Sequence, residues 1–353
     1  MQDGFFGLDM GSNSIKVVEL AMNDGKWHLQ TFGYHPVQTG AVFSESDIDQ
    51  KDLSKLLREL VAESHITTRR VVAAFPESLI FTRVIEIPAV NDADFGSAIE
   101  WQAEQYVPMP LSEVRLSWMI LDKGAGTGSG QLARKGKVKV LLVAAPNALV
   151  NRYVNILQGA GLQPLAMETE TVAVTRSFSY FKEVETPTTL IMSVGASTTD
   201  LTVVDKGVIQ FTRSIGTGGS ALARAIAQEL GFDANQAEEY KKAYGLLEDQ
   251  LEGKIMQVIK PVFDVTIDEV ERAIMFYQTQ NPGKNIKRIV LTGGTAQLPG
   301  LVVFLANTLS LEVQIGNPWG NVVVPDEFKA KTEQLENQVT YAVAAGLAMR
   351  EAS

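Results

Sequence analysis

The chain has 353 residues, 45% of them hydrophobic and 20% charged, with 41 acidic against 31 basic side chains and a net charge of −10. That length and apolar content support two or more domains with large cores, and the negative balance argues against a duplex-binding surface, which needs clustered Lys and Arg. Cysteine is absent and the three histidines, His28, His35 and His65, are scattered, so neither a disulfide framework nor a metal cluster is expected.

The first residues lack the basic patch and long apolar stretch of a signal peptide. The longest apolar runs, such as Val138 to Pro146 with its internal Lys139, are too short to span a bilayer. The expectation is a cytosolic chain that reaches a membrane only through a partner.

Residues 7–18, GLDMGSNSIKVV, read as a strand, a tight Gly/Ser turn and a second strand. A helix is expected over 47–64, then strands over 70–75 and 81–87. In 92–106, Phe95, Ala98, Ile99, Gln102 and Tyr106 recur at helical spacing, and Pro108 and Pro110 stop the helix. Strands over 114–121 and 138–145 flank KGAGTGSGQLARKGK, a mobile hairpin tip that lacks the Lys-Ser/Thr ending of a P-loop. Helices follow over 147–158, ended by Gly159 and Gly161, and over 170–181. A second strand–turn–strand, IMSVGASTTDLT, occupies 191–202. Beyond it, 220–230 carries Leu222, Ile226 and Leu230 on one face and stops at Gly231; 236–244 and 262–278 continue a helical region. Residues 288–300, RIVLTGGTAQLPG, give a β-branched strand, a Thr-Gly-Gly turn and a helix opening near Leu298 and Pro299. Tyr341 to Met349 is a small-residue helix whose Ala342, Ala345 and Gly346 permit close approach of a neighbour.

The two hairpins align at an offset of 184: Gly11 meets Gly195, Ser12 meets Ala196, Ser14 meets Thr198, Asp9 meets Ser193 and Lys16 meets Asp200. Two such turns half a chain apart indicate a duplicated domain with one turn from each half facing a shared cleft. The residue types suit phosphate. Gly11 and Gly195 let backbone N–H groups approach an anion, and Ser12, Asn13, Ser14, Thr198 and Thr199 add short donors. Asp9, at a strand end, can hold a hydrated Mg²⁺, and Lys16 can place a point charge near terminal phosphates. Gly293 and Gly294 leave room for a flat ring against the backbone, which suits a nucleoside. Each element also has a plainer reading: ordinary turns, a simple βα turn, and, for Glu238 and Lys241, a solvated helix pair.

Taken together, FFGLDMGSNSIKVVEL, AIEWQAEQYVPMPLSEV, LLVAAPNALVNRYVNIL, FTRSIGTGGSALARAIA, AEEYKKAYG and RIVLTGGTAQLPGL resemble the actin/Hsp70/sugar-kinase superfamily. Within it the chain is similar to the FtsA-type branch and, more specifically, to the PilM family of type IV pilus assembly proteins. The resemblance implies an α/β, duplicated actin-like (ribonuclease H-like) fold with two lobes around a nucleotide cleft and an FtsA-type inserted subdomain. It implies subdomain 1A over 1–86, 164–187 and 338–353, 1C over 87–163, 2A over 188–216 and 285–337, and 2B over 217–284. It implies ATP with Mg²⁺ as cofactors, held by Asp9, Gly11, Ser12, Asn13, Ser14, Lys16, Gly195, Ser197, Thr198, Gly218, Glu238, Lys241, Gly293, Gly294 and Thr295, with Asp9 meeting the metal through water.

In the superfamily an acidic residue usually opens the second hairpin, where this chain has Ser193. A hydroxyl does not replace a carboxylate beside Mg²⁺ or as a group ordering attacking water, so hydrolysis is expected to be weak or absent, with Glu168 and Glu170 as the nearest candidates for positioning water. The resemblance further implies a partner, the N-terminal cytosolic peptide of a PilN-type inner-membrane protein, bound near the 1A–1C junction. Trp101 and Tyr106 are candidate anchors beside Glu100 and Glu104, and other platform proteins or the pilus motor ATPases are further partner classes. The chain would then sit at the cytoplasmic face of the inner membrane. The alternatives are an FtsA-like filament former, expected to carry an amphipathic membrane helix past the core where this sequence stops at Ser353, and a sugar or acid kinase, for which no substrate-side Asp base stands out.

Overall fold

The structure, a computed structural model, describes residues 4–351 except 39, 41, 43, 89, 91, 123–136, 179–185 and 335–337. The expected hairpin tip lies outside the described residues, as does the end of the helix expected over 170–181.

The chain opens with antiparallel strands β1 (Phe6–Met10), β2 (Ser14–Asn23) and β3 (Lys26–Pro36), then helix α1 (Asp47–Glu63) and β4 (Arg70–Phe75), which runs parallel to β1. A 3₁₀ turn, Glu77–Leu79, leads into β5 (Phe81–Pro88), α2 (Asp92–Tyr106), β6 (Val114–Asp122) and β7 (Lys137–Pro146). Helix α3 (Asn147–Gly159), β8 (Gln163–Thr169) and α4 (Glu170–Ser177) complete the first half. The second half runs β9 (Thr189–Val194), β10 (Thr199–Asp205), β11 (Val208–Ile215), α5 (Gly219–Leu230), α6 (Ala234–Tyr244), α7 (Lys254–Gln280), β12 (Arg288–Thr292), α8 (Leu301–Leu309) and β13 (Glu312–Ile315). Strand β14 (Val322–Val323), α9 (Asp326–Thr332) and α10 (Ala342–Ala348) follow.

The duplication expected from the paired hairpins extends to whole sheets. One has the order β14-β3-β2-β1-β4-β8 and the other β11-β10-β9-β12-β13. Apart from the short β14, each is a meander of three antiparallel strands followed by two strands parallel to its first. The parallel strands β1, β4 and β8 end along one sheet edge, and β9 and β12 end along the equivalent edge of the other, the place where open α/β sheets bind ligands.

Local chemistry accounts for several boundaries. Helix α5 buries Leu222 and Ile226 and ends where Gly231 turns left-handed at φ 69°. Asp233 and Gln236 form a reciprocal capping box that starts α6. Helix α7 begins at Lys254, upstream of the expected 262, and carries Pro261 on its exposed side, where a proline inside a helix costs least.

Helix α10 shows why its residues are small. A Cβ on Gly346 would lie 1.8 Å from the Ala173 carbonyl oxygen of α4, and one on Gly7 of β1 would lie 2.1 Å from that of Ala344. The helix is thereby wedged between β1 and α4, and with Val174, Phe178, Ile191, Val204 and Val290, Ala342 joins the two halves in one buried cluster.

The third sheet, β5-β7-β6, lies between the halves, with Ile99 and Ala103 of α2 buried on one face against Ile87, Val140 and Leu142. From the other face Lys139 donates to Gln210 Oε1 of β11 at 2.8 Å, so this sheet also touches the second lobe. Among the described residues no helix is long and apolar enough to cross a membrane.

Candidate functional site

The two glycine turns close in the same way. Gly11 N–H donates to the Ser14 carbonyl at 3.0 Å, and Gly195 N–H donates to the Thr198 carbonyl at 2.9 Å. Each turn follows the first strand of its sheet and projects from the edge where the parallel strands end. Both line one cavity of about 260 Å³, to which Gly11, Ser12, Ser197, Thr198 and Glu170 contribute. Pro76, Ser78 and Leu79, in the turn after β4, form another wall.

Asp9 and Lys16 face each other in the β1–β2 register, and Lys16 Nζ lies 3.3 Å from Asp9 Oδ2 with both side chains buried. In the second hairpin the equivalent register sets Ser193 opposite Asp200. The acid has moved from the first strand to the second, as the offset of 184 indicates.

The remaining candidates gather around the second turn. Gly219 N–H and Ser220 N–H, opening α5, donate to the carbonyls of Gly195 and Ala196 at 2.9 and 2.8 Å. A Cβ on Gly218 would stand 2.7 Å from both carbonyl oxygens, so only glycine allows this approach. Lys241, which local spacing alone marks as a solvated residue, is only 7% exposed; its Nζ meets Glu238 Oε2 at 2.6 Å and the Gly219 carbonyl at 3.2 Å. Gly293 holds φ 84° with its N–H on the Val339 carbonyl, and Thr295 Oγ1 donates to the Gly195 carbonyl at 3.0 Å. Gly294 is exposed and a Cβ there would meet nothing within 4 Å, which leaves a flat ring free to lie on it. Asn13 sits in the first turn beside Ser12, and Ser14, which closes it, opens β2.

Glu168 and Glu170 part company. Glu168 forms a two-pronged ion pair with Arg176 at 2.8 and 3.1 Å and accepts from Arg350 Nε at 2.8 Å, away from the cavity. Glu170, opening α4 behind the Thr169 cap, lines the cavity. Burial first, then the carboxylates of Asp200, Asp9 and Glu77, push its pKa well above the ordinary value.

Sequence reasoning missed Glu77. It follows β4 at the same sheet edge as Asp9, and burial together with Asp200 raises it to about 7. Asp200 itself is raised to about 6 by burial, against hydrogen bonds from Ser214 and Thr198. The signal that could have found Glu77 is a carboxylate directly after a strand parallel to β1. Among the described residues no group of three His, Asp or Glu side chains is placed to hold a metal ion directly. Of the two candidate anchors, Trp101 is 61% exposed on α2. Tyr106 is partly buried, with the Arg83 guanidinium 4.3 Å over its ring.

The chain is similar to a solved structure, the "PilM-PilN type IV pilus biogenesis complex", at TM-score 0.86 and 27% identity, covering 99% of this chain and 98% of that one. MreB5 of Spiroplasma citri bound to AMPPNP aligns at TM-score 0.52 and 14% identity over 98% of this chain and 95% of its own, which establishes the shared actin-like fold. The cell division protein FtsA of Pseudomonas aeruginosa is 24% identical, covering 97% of this chain and 88% of that protein. The ethanolamine utilization protein EutJ of Escherichia coli is 26% identical over 148 residues, 42% of this chain and 46% of that protein, so the chain spans about half of that relative. The profile of the family described as type IV pilus assembly protein PilM matches residues 7–352, and the chain belongs to that family.

Proposed function

We propose that this protein is the ATP-binding cytoplasmic component of a type IV pilus inner-membrane platform, and that it binds the N-terminal cytosolic peptide of a PilN-type membrane protein. The observation that carries the nucleotide half is the pair of identically closed turns, at Gly11 and Gly195, whose Gly11, Ser12, Ser197 and Thr198 line one cavity together with Glu170. Ser12, Ser197 and Thr198 supply hydroxyls for phosphate, Gly293, Gly294 and Thr295 a seat for the base, and Glu238 with Lys241 a polar pair for the nucleoside. Asp9 would meet Mg²⁺ through water. The metal would offset phosphate charge in a site already rich in carboxylates. Family membership supports the pilus role, and the similarity to the solved PilM–PilN complex supports the partner.

The partner surface is best read on the three-stranded sheet. Among the described residues β6 pairs only with β7, and Trp118, Met119 and Ile120 stand exposed along it. An extended peptide can add to such an edge through main-chain hydrogen bonds and place alternate side chains on Trp118 and Ile120. Trp101, with exposed Glu100 and Glu104 on α2, offers an aromatic and acidic rim for a peptide bearing Arg. Tyr106 is committed to Arg83 and the local core. We retain the four-subdomain division, with the inserted sheet beginning at β5.

Two measurements test the reading. Mg-ATP should raise the unfolding temperature, because a ligand of the folded state adds RT ln(1 + [L]/Kd). A labelled PilN-type peptide should titrate onto the protein and lose most of its affinity in Trp118→Ser/Ile120→Ser, whose side chains are exposed. No shift with ATP removes the nucleotide half, and unchanged peptide binding by the double variant removes β6 from the dock.

A further inference from the structure

Three carboxyl groups meet where the two lobes touch beside the cavity. Glu170 comes from α4 and Glu77 from the turn after β4, both in the first lobe, whereas Asp200 comes from β10 of the second. The Glu77 N–H points to Glu170 Oε2 at 3.4 Å. Glu77 is 5% exposed and Asp200 8%, and neither Glu77 oxygen nor Asp200 Oδ1 accepts a well-formed hydrogen bond, although the hydroxyls of Thr82 and Thr171 stand beside Glu77. Glu170 lines the cavity along with Ser12 and Thr198. The ammonium of Lys16 is engaged with Asp9. Above about pH 7, where Glu77 and Asp200 are ionised, their negative charge lies beside the place where a polyphosphate would arrive, in a partly buried setting that water and salt screen poorly.

We propose that Glu77 makes the cleft select the metal-bound form of its nucleotide, the carboxylate repelling a bare polyphosphate and tolerating one whose charge a divalent cation has reduced. Glu77 is suited to this because it sits on the crossover between β4 and the three-stranded sheet, whose Pro76, Ser78 and Leu79 form the cavity wall. It acts through the field it adds to Glu170 and Asp200, as a specificity-determining residue. The inference rests on the nucleotide reading above and concerns only which charge form is admitted.

The experiment measures ATP binding by calorimetry at pH 8.5, with excess Mg²⁺ and with EDTA, for the unmodified protein, Glu77→Gln and Glu77→Asp, each with its unfolding midpoint. The unmodified protein should bind ATP more weakly in EDTA. Glu77→Gln should recover about tenfold of that loss, as expected for removing one nearby like charge in a partly screened site, while its Mg-ATP affinity stays within about twofold. Glu77→Asp, which keeps the charge, should keep the original ratio. The same Mg²⁺-to-EDTA ratio in the unmodified protein and Glu77→Gln overturns the inference and leaves the nucleotide reading standing. Absence of ATP binding by the unmodified protein under both conditions overturns both.

Discussion

Thr295 Oγ1 donates to the Gly195 carbonyl oxygen at 3.0 Å, which ties the third glycine-rich segment to the second glycine turn. The same hydroxyl packs against Gly219, where an added Cβ would lie 2.3 Å from it. Thr295→Val keeps the shape and removes the donor. It should cost about 1–2 kcal/mol of stability and weaken ATP binding several-fold, as read by denaturant titration with and without Mg-ATP.

Gly294 and Gly218 separate a binding role from a packing role. Because a Cβ at Gly294 meets open space, Gly294→Leu should fold with an unchanged melting temperature and lose the stabilisation by Mg-ATP. Gly218→Leu should instead destabilise the ligand-free protein, since its Cβ would press on the carbonyls of Gly195 and Ala196. Melting curves of both variants, with and without nucleotide, check the contrast; ATP stabilisation of Gly294→Leu equal to that of the unmodified protein would unseat the base site.

The buried carboxyls predict a pH dependence of unusual sign. Glu77 is raised from 4.5 to about 7 and Asp200 from 3.8 to about 6, so between these limits the folded protein holds protons that the unfolded chain has released. Stability of the ligand-free protein should be highest below the ordinary carboxyl values as far as these groups are concerned, and should fall as pH rises from about 4 to 7. Glu77 accounts for on the order of 3 kcal/mol of that fall at most. Glu77→Gln should melt a few degrees higher at pH 8 and show a flatter profile; a parallel profile would remove Glu77 as the source.

Ser193 stands opposite Asp200 across β9 and β10, half-buried. Turnover of Mg-ATP should fall well below the ordinary enzyme range of roughly 1–10³ per second. Ser193→Asp sets a second carboxylate against Asp200, so it should lower the ligand-free melting temperature and raise turnover in Mg²⁺. Phosphate release measured for both proteins decides this, and fast turnover by the unmodified protein would refute it.

Much of the fold was legible because its signals are local. Gly11 and Gly195 close tight turns between apolar strands, and both turns formed where the spacing placed them. The small residues of α10 announced a close approach, and Gly346 against Ala173 is that approach. Strand β8, QPLAMET, was not anticipated: it is an edge strand, carries Pro164 and buries little, so its alternation is faint. Lys241 looked solvated because i, i+3 spacing to Glu238 describes only its own helix; it is buried because Gly219 of α5 has no side chain to hold it off.

What the amino-acid sequence determined by itself was the duplication, the two glycine turns and the serine at 193, since each depends on residues adjacent along the chain. Tertiary structure alone decided that Glu168 is spent on Arg176 and Arg350 while Glu170 faces the cavity, and that Glu77 joins Asp200 at the lobe junction. The physical reason is that β1 and β4 lie side by side and parallel, so their ends share one edge although some 65 residues separate Met10 from Phe75 along the chain. The electrostatics of the cleft are set by groups brought together across that edge and across the lobes, and no local window contains them.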